Sequence, residues 1–327
     1  MTTIDVRSPS EYATGHIVGA INMPLFSDSE RAEVGTLYKQ VSRERAIERG
    51  LEFVGPKMAD IVRQARHEAA REPSEPLRVY CARGGMRSAS VAWLLRTSGI
   101  AVNIIKGGYK AYRALFEQSL VSDPWRLVVL SGATGSGKTE LLDAMAGLGA
   151  QVLDLEGLAV HRGSVFGGIG QGVQPTTEHF INLLHDRFDS FTSSRVVFCE
   201  GESMLIGHVF LPAALYSLMQ RSEQVVVSAE RSERLRRIMQ GYGQLPMEEL
   251  KACFTKIAKR MGPEQTSQAL QALEEGAVDR AASLGLDYYD KCYRKGARID
   301  QAFTIELKEN EIEATARKII EKYEKNY

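Results

Sequence analysis

The segment Arg126-Leu-Val-Val-Leu-Ser-Gly132-Ala-Thr-Gly-Ser-Gly-Lys-Thr139 decides the fold of the C-terminal part of this chain. An apolar run that predicts a buried strand leads into a glycine-rich turn, and a helix begins at its end. The turn fits the pattern G-x4-G-K-[ST], in which backbone N–H groups wrap a di- or triphosphate. Lys138 would neutralise phosphate oxygens, and Thr139 could ligate Mg²⁺. The glycines that free the backbone for this turn are Gly132, Gly135 and Gly137.

Strand and helix patterns alternate on both sides of this segment. Predicted strands lie near Ile4–Asp5, Ala20–Asn22, Leu77–Tyr80, Val102–Ile105, Val152–Leu155, Val196–Cys199, Val225–Ser228 and Ala302–Ile305. Predicted helices cover about 56–70, 86–98, 108–119 and 311–323, and residues from about 231 to 285 are mostly helical. This alternation predicts an α/β protein with parallel sheets. A break near Ser122–Pro124 predicts an N-terminal domain over 1–120 and a phosphate-binding domain over 124–327.

Composition narrows the class of protein. The chain has 327 residues, 44% apolar and 25% charged, which is typical of a globular protein with two cores. Its formal net charge is zero, so any nucleic-acid surface must be a local patch. The four cysteines form no CxxC pair, which favours a reducing, cytoplasmic location. We expect neither a signal peptide nor a membrane span, because no apolar run approaches the length that a span needs.

A second loop, Val79-Tyr-Cys81-Ala-Arg83-Gly-Gly-Met-Arg87-Ser88, carries a candidate nucleophile. A strand ends at Cys81, and a helix begins a few residues later. Helix N-termini and arginines lower a thiol pKa and hold anions, so Cys81, Arg83 and Arg87 are predicted to be catalytic. The alternative is that Cys81 is simply a buried apolar residue at a strand end.

Other polar residues follow the predicted strands of the phosphate-binding domain. Glu200, in the segment Arg195–Ser203, is the best candidate for the acid that accompanies a phosphate-binding loop, and Asp154 with Glu156 is the alternative. The glycine-rich segment His161–Gly168 predicts substrate contacts from His161 and Arg162. The competing interpretation of this segment is a flexible surface loop. No spacing of histidines suggests a metal site beyond Mg²⁺ at Thr139.

Basic residues recur at helical spacing near residues 231–260 and could form a phosphate-binding face. A solvated face balanced by glutamates is an equally good interpretation. The candidate residues of this face are Arg231, Arg234, Arg237, Lys256 and Lys259.

The segments Asp5–Pro24 and Lys106–Tyr112 resemble the N-terminal signature and the strand-to-helix turn of rhodanese domains, which carry sulfur on a cysteine. The whole chain resembles the tRNA 2-selenouridine synthase family, a rhodanese domain fused to a P-loop domain. The blocks that carry this resemblance are Tyr80–Ser88, Gly107–Tyr112, the glycine-rich turn Gly132–Thr139 (the P-loop), Asp154–Ser164, Gln174–Thr176 and Tyr288–Asp290. The sequence departs from the family at Ala82, where a bulky aromatic residue is expected.

The resemblance implies a two-step reaction on 2-thiouridine at the wobble position of tRNA. A geranyl group from geranyl diphosphate is first attached to sulfur, and selenium from selenophosphate then replaces the geranylthio group. It also implies that Cys81 carries selenium as a perselenide, and it makes the basic residues of the 231–260 region candidates for tRNA binding. Because the two domains need to share one nucleotide, we expect the anticodon base to be flipped out. We also expect a selenophosphate-supplying enzyme as a partner. The prenyl chain would need an apolar groove, for which Phe166 and Phe210 are candidates.

The spacing of the Cys81 loop keeps another class of enzyme open. From Cys81 to Arg87 it is C-x5-R, whereas simple sulfur carriers usually show C-x4-R. The longer spacing is shared with cysteine-dependent phosphatases, and it suits a tetrahedral anion. A phosphatase or sulfurtransferase fused to a kinase-like domain is therefore the main alternative. A non-catalytic anion-binding module is a third hypothesis.

Overall fold

The computed structural model describes residues 1–243, 245–296 and 303–324. The chain divides into two compact units. The first comprises Met1–Ser119 together with Glu178–Asp186, and the second comprises Leu120–Thr177 and the described residues from Arg187 onward.

The first unit is built on a parallel sheet with the strand order β2-β1-β3-β4. Its strands are β1 (Thr3–Asp5), β2 (Ile21–Asn22), β3 (Leu77–Tyr80) and β4 (Val102–Ile104). Its helices are α1 (Pro9–Thr14), α2 (Asp28–Gln40), α3 (Arg43–Val54), α4 (Met58–Ala69), α5 (Met86–Thr97) and α6 (Gly108–Ser122), the last ending just beyond the unit. The sequence patterns did not predict α1, α2 and α3. Helix α2 buries no residue, so it lacks the apolar stripe from which helices are predicted.

A buried ion pair fixes the end of β1. Asp5 and Arg7 are joined at 2.6 Å, and both are almost wholly buried. The Arg7 guanidinium also donates to the Gly15 carbonyl and lies 3.9 Å from the centre of the Tyr109 ring. Because a buried charge is tolerated only when it is paired and hydrogen-bonded, these contacts make Asp5 and Arg7 structural residues.

The second unit contains a parallel sheet with the order β11-β10-β5-β7-β6. Its strands are β5 (Arg126–Ser131), β6 (Gln151–Leu153), β7 (Val196–Glu200), β10 (Glu223–Ser228) and β11 (Phe303–Glu306), with a small antiparallel pair β8 (Leu205–Ile206) and β9 (Val209–Phe210). Its helices are α7 (Lys138–Gly147), α8 (Leu155–Ala159), α10 (Ala213–Arg221), α11 (Arg231–Tyr242), α12 (Met247–Met261), α13 (Pro263–Glu274), α14 (Val278–Gly296) and α15 (Ile312–Glu324). Helix α9 (Thr177–Asp189) contributes residues to both units.

The predicted α/β class with parallel sheets is confirmed, and residues 231–285 are helical as expected. Of the predicted last strand, Ala302 lies outside the described residues. None of the helices within the described ranges combines the length and the hydropathy that a membrane span requires.

Candidate functional site

Cys81 lies directly after β3, and its sulfur faces the first turn of α5. Its Sγ is 3.2 Å from the Ser88 hydroxyl, and the residue is 3% exposed. Among the described residues, none of the backbone N–H groups from Ala82 to Arg87 donates to a backbone carbonyl. The loop therefore offers a row of N–H groups that no backbone carbonyl accepts next to a sulfur atom, which is an arrangement suited to an anion.

Glycines let this loop pack against the turn that precedes α6. The N–H groups of Tyr109 and Lys110 donate to the Cys81 and Ala82 carbonyls, both at 2.9 Å. A Cβ on Gly108 would lie 2.3 Å from the Cys81 oxygen and 2.4 Å from the Gly84 nitrogen. The Lys106–Tyr112 block therefore holds the Cys81 loop in shape through contacts between two backbones.

The thiol of Cys81 is set toward the ionised form. Burial disfavours the thiolate, but hydrogen bonds from the Ser88 hydroxyl and from the backbone at Ser88 and Arg83 outweigh burial, and the charge of Arg87 adds to them. Together they lower the pKa of Cys81 below its ordinary value. By contrast, burial raises the pKa of Cys199 and Cys253.

The two predicted arginines of the Cys81 loop differ in their partners. Arg87 donates from Nη1 and Nη2 to the Glu11 carboxylate at 2.6 and 3.1 Å, and Arg31 lies 3.6 Å from the same carboxylate. Arg83 is exposed. Because a guanidinium has five N–H donors, the pair with Glu11 leaves donors of Arg87 for an anion.

The P-loop connects β5 to α7 and lines a cavity of about 1050 Å³. Gly132, Gly135 and Gly137 all line it, and a Cβ on Gly132 would lie 2.3 Å from the Val227 oxygen, so only glycine fits there. Lys138 donates to the Gly132 carbonyl at 2.9 Å, and Thr139 lines the cavity at the start of α7. The structure thus brings the predicted phosphate-binding residues together around one space.

Two carboxyl groups on the cavity wall lie next to each other. Glu156 lies in α8, Glu202 follows β7, and their carboxyl groups are hydrogen-bonded to each other. Burial, with the charge of Glu202, raises the pKa of Glu156 to about 8. Burial also raises the pKa of Glu202. Burial lowers the pKa of Lys138, although the charges of the nearby glutamates act in the opposite direction.

Glu200, which the sequence favoured as the acid of this site, does not line the cavity. It is 1% exposed and accepts a hydrogen bond from the Leu155 N–H at 2.9 Å. Its place is taken by Glu202, two residues further on, because β7 ends at Glu200 and the chain turns toward the cavity only after it. Asp154 lines the cavity but also caps α8 by accepting from the Gly157 N–H.

The loop His161–Ser164 lines the same cavity, as its composition predicted. A Cβ on Gly163 would lie 2.7 Å from Glu202 Oε2, so glycine lets the loop approach the carboxylates. Arg162 donates to the Gly241 carbonyl and lies 5.3 Å from the centre of the Tyr242 ring. His161 faces the cavity, where burial lowers its pKa.

The structure contradicts part of the basic face that was predicted near residues 231–260. Arg234 and Arg237 are buried and paired, Arg234 with Asp290 at 2.6 Å and Arg237 with Glu140 at 3.0 Å. Arg234 also donates to the Thr134 carbonyl and so holds α11 against the P-loop, whereas Arg237 lines the P-loop cavity. Neither residue belongs to an exposed face that could bind tRNA. Helical spacing did not reveal this because their carboxylate partners are distant in sequence. Arg231, Lys256 and Lys259 are exposed, and Arg231 pairs with Asp287.

An apolar pocket adjoins the P-loop cavity. The two spaces share the wall residues Thr134, Ser164, Ile238, Tyr242 and Tyr289. Beyond them the pocket is closed by side chains from α11 to α14, among them Phe254, Leu273 and Leu286. Of the two residues considered for a prenyl groove, Phe166 lines this pocket, whereas Phe210 is half exposed on β9 and does not.

Sequence reasoning missed the polar aromatic wall of the cavity. Tyr288 and Tyr293 of α14 and Arg260 of α12 line it, and Tyr288 is hydrogen-bonded to Arg260. These residues lie in amphipathic helices, where periodic aromatic residues are expected in the core. In the described part of the chain, no group of three histidine, cysteine or acidic side chains could hold a metal ion.

Comparison with known proteins supports the same division of the chain. A family described as "tRNA 2-selenouridine synthase AAA domain" matches residues 125–322, and one described as "Rhodanese-like domain" matches residues 1–115.

Three similar proteins are each named tRNA 2-selenouridine synthase. The protein from Shewanella denitrificans is 39% identical over 73% of this chain, and the match spans 65% of its own length, slightly less than two thirds. The protein from Hydrogenovibrio crunogenus is 33% identical over 89% of this chain and 84% of its own length. The protein from Pseudomonas fluorescens strain Pf-5 is 34% identical over 91% of this chain and 90% of its own length. The chain therefore belongs to the tRNA 2-selenouridine synthase family.

Proposed function

We propose that this chain is a transferase that converts 2-thiouridine at the wobble position of tRNA to 2-selenouridine, through an S-geranyl intermediate. Its co-substrates are geranyl diphosphate and selenophosphate. The observation that carries the proposal is that an apolar pocket adjoins the P-loop cavity and shares wall residues with it. A phosphate donor with an apolar chain would occupy both spaces.

In the first step, the sulfur of the thiouridine attacks C1 of the geranyl group. The C1–O bond breaks, and diphosphate leaves with its charge stabilised by Lys138 and the P-loop N–H groups. Alkylation of sulfur releases the proton of the base N3. Glu202 accepts a hydrogen bond from protonated Glu156 and lines the cavity, so its carboxylate is the group that takes up this proton.

Mg²⁺ fits this site only with help from the substrate. Thr139 lines the cavity and offers one hydroxyl ligand, while no preformed cluster of three acidic, histidine or cysteine ligands exists within the described ranges. An ion would therefore be held by Thr139, phosphate oxygens and water, and it would supply further charge stabilisation to the leaving diphosphate.

The prenyl chain would lie in the apolar pocket. Burying a methylene group contributes about 0.8 kcal/mol, so a ten-carbon chain gains much of its affinity there. The pocket holds about 60 Å³, so the chain must displace flexible side chains such as Met239 as it enters.

In the second step, selenium replaces the geranylthio group at C2. Alkylated sulfur leaves as a thiol, which is a far better leaving group than unalkylated sulfide. Cys81, the low-pKa thiol in a loop suited to anions, would be the residue at which selenophosphate reacts and selenium is released for this step.

Mass spectrometry of tRNA nucleosides after incubation with each donor separately tests this function. Geranyl diphosphate alone should yield the S-geranyl nucleoside, and adding selenophosphate should convert it to 2-selenouridine. Ala282→Phe, which narrows the apolar pocket, should raise the KM for geranyl diphosphate about tenfold and leave inhibition by inorganic diphosphate unchanged. Efficient phosphopeptide hydrolysis with no change in thiolated tRNA would favour the phosphatase alternative.

A further inference from the structure

The perselenide poses a problem of electron balance. Selenium in selenophosphate is at the selenide level, as is the sulfur of a thiolate. Joining them as Cys–S–Se⁻ with phosphate as the product removes two electrons, so an oxidant is required. Neither co-substrate is one, and the same two electrons would have to be returned when selenium leaves the sulfur.

The geometry of the Cys81 loop points to a step that needs no oxidant. We propose, building on the function above, that the Cys81 thiolate attacks the phosphorus of selenophosphate and forms a phosphocysteine. The S–P bond forms as the P–Se bond breaks, and hydroselenide leaves. Water then attacks the phosphorus, the S–P bond breaks, and phosphate leaves with the thiolate restored.

Three observations favour phosphoryl transfer at this loop. The C-x5-R spacing places five residues between nucleophile and arginine, and the N–H groups of Ala82–Arg87 are unpaired by backbone carbonyls. Such a row of N–H groups binds three equatorial phosphoryl oxygens, whereas a single selenium atom uses few of them. The guanidinium of Arg87 retains donors beyond the two that Glu11 accepts.

Ser88 completes the arrangement. Its hydroxyl lies 3.2 Å from Sγ and 3.1 Å from the Gly85 carbonyl. A hydroxyl at this position can donate to sulfur as negative charge returns to it, which assists the second half of the reaction. The selenophosphate dianion carries one proton, which leaves with selenium as hydroselenide, so the first half needs no acid from the protein.

The freed hydroselenide is the nucleophile that the second step of the proposed function requires. It adds to C2 of the S-geranyl nucleoside, and geranylthiol leaves from the same carbon. Both half-reactions at Cys81 and the substitution at C2 then balance in atoms and electrons, and the cysteine returns to its starting state.

Phosphorus-labelled selenophosphate tests the proposal without tRNA. The phosphoryl and selenium adducts of a cysteine have nearly equal masses, so a ³²P label and the selenium isotope pattern must tell them apart. After a rapid quench, ³²P should be found on wild-type Cys81 and be absent from Cys81→Ala. Ser88→Ala should lengthen the lifetime of the label about tenfold, while Ser90→Ala, an exposed position on the same helix, should not change it.

The outcomes separate this inference from the proposed function. Selenium bound to Cys81 without ³²P, in enzyme that still selenates tRNA, would overturn the phosphocysteine and leave the function standing. A labelled Cys81 in enzyme that leaves thiolated and geranylated tRNA unchanged would support the phosphocysteine and overturn the function. A label of equal lifetime in wild type and Ser88→Ala would remove Ser88 from the reaction.

Discussion

The Cys81 loop and the P-loop cavity, the two proposed anion sites, are built on different scales. The Cys81 loop is shaped by close backbone contacts and holds a nearly buried sulfur. The P-loop cavity measures about 1050 Å³ and carries carboxylates, tyrosines and arginines from distant helices. The small site suits the handling of one phosphoryl or chalcogen group, and the large site suits two organic substrates at once.

The largest effects should come from removing the central residue of each site. Cys81→Ala should abolish selenium incorporation, by more than a thousandfold, and leave geranylation within twofold of wild type, because only the former needs the thiolate. Lys138→Ala should lower geranylation by at least a hundredfold and still convert presynthesised S-geranyl tRNA. Nucleoside mass spectrometry on both substrates measures this.

Lys318→Ala, an exposed position in α15 outside the cavity lining, is the control for Lys138→Ala. If Cys81→Ala and Lys138→Ala each lost both geranylation and selenium incorporation, the two sites would not divide the chemistry as we describe.

The next effect concerns the rigidity of the Cys81 loop. Gly108 has φ +61°, and a Cβ there would collide with Cys81 and Gly84 backbone atoms, so Gly108→Ala should cost about 3 kcal/mol or more and shift the loop. Gly19 has φ +74° but no atom within 4 Å of a Cβ, so Gly19→Ala should cost only about 1 kcal/mol. Urea unfolding measures both, and equal losses would contradict the backbone packing.

The carboxylate pair gives the P-loop cavity a pH signature of its own. The pKa of Glu156 rises to about 8 on folding, so its contribution to stability is complete below the unfolded pKa, about 4.3, and is lost progressively as pH rises from there through 8. Glu156→Gln, which stays neutral, should therefore match wild type at about pH 4 and be about 2 kcal/mol more stable at about pH 9.

Urea unfolding at both pH values tests this prediction, with Glu264→Gln in exposed α13 as the control. A Glu156→Gln variant less stable than wild type at pH 9 would show that Glu156 is stabilised as a carboxylate.

The same difference in scale explains how well the sequence predicted each site. Cys81, Arg87 and the P-loop glycines are contiguous motifs whose local backbone defines them, and the structure places each motif in its own site. Glu200 is the last residue of β7 and lies outside the cavity, whereas Glu202, two residues later, lies in the cavity wall. Which of these carboxylates turns inward depends on where the strand ends. Arg234 and Arg237 were misassigned because Asp290 and Glu140, their partners, approach only when α14 and α7 pack against α11. Long-range pairs of this kind leave no local pattern.

The smallest predicted effect isolates the contribution of one hydroxyl to the Cys81 loop. Hydrogen bonds from Ser88 act against burial to lower the pKa of Cys81. Ser88→Ala should raise that pKa, so the rate of iodoacetamide alkylation at pH 7 should fall severalfold, and its midpoint should move toward the value of about 8.5 for a free thiol. The Cys81→Ala background corrects for the exposed Cys292. If alkylation is as fast in Ser88→Ala as in wild type, the loop N–H groups rather than the hydroxyl stabilise the thiolate, and Ser88 would act only when sulfur is a leaving group.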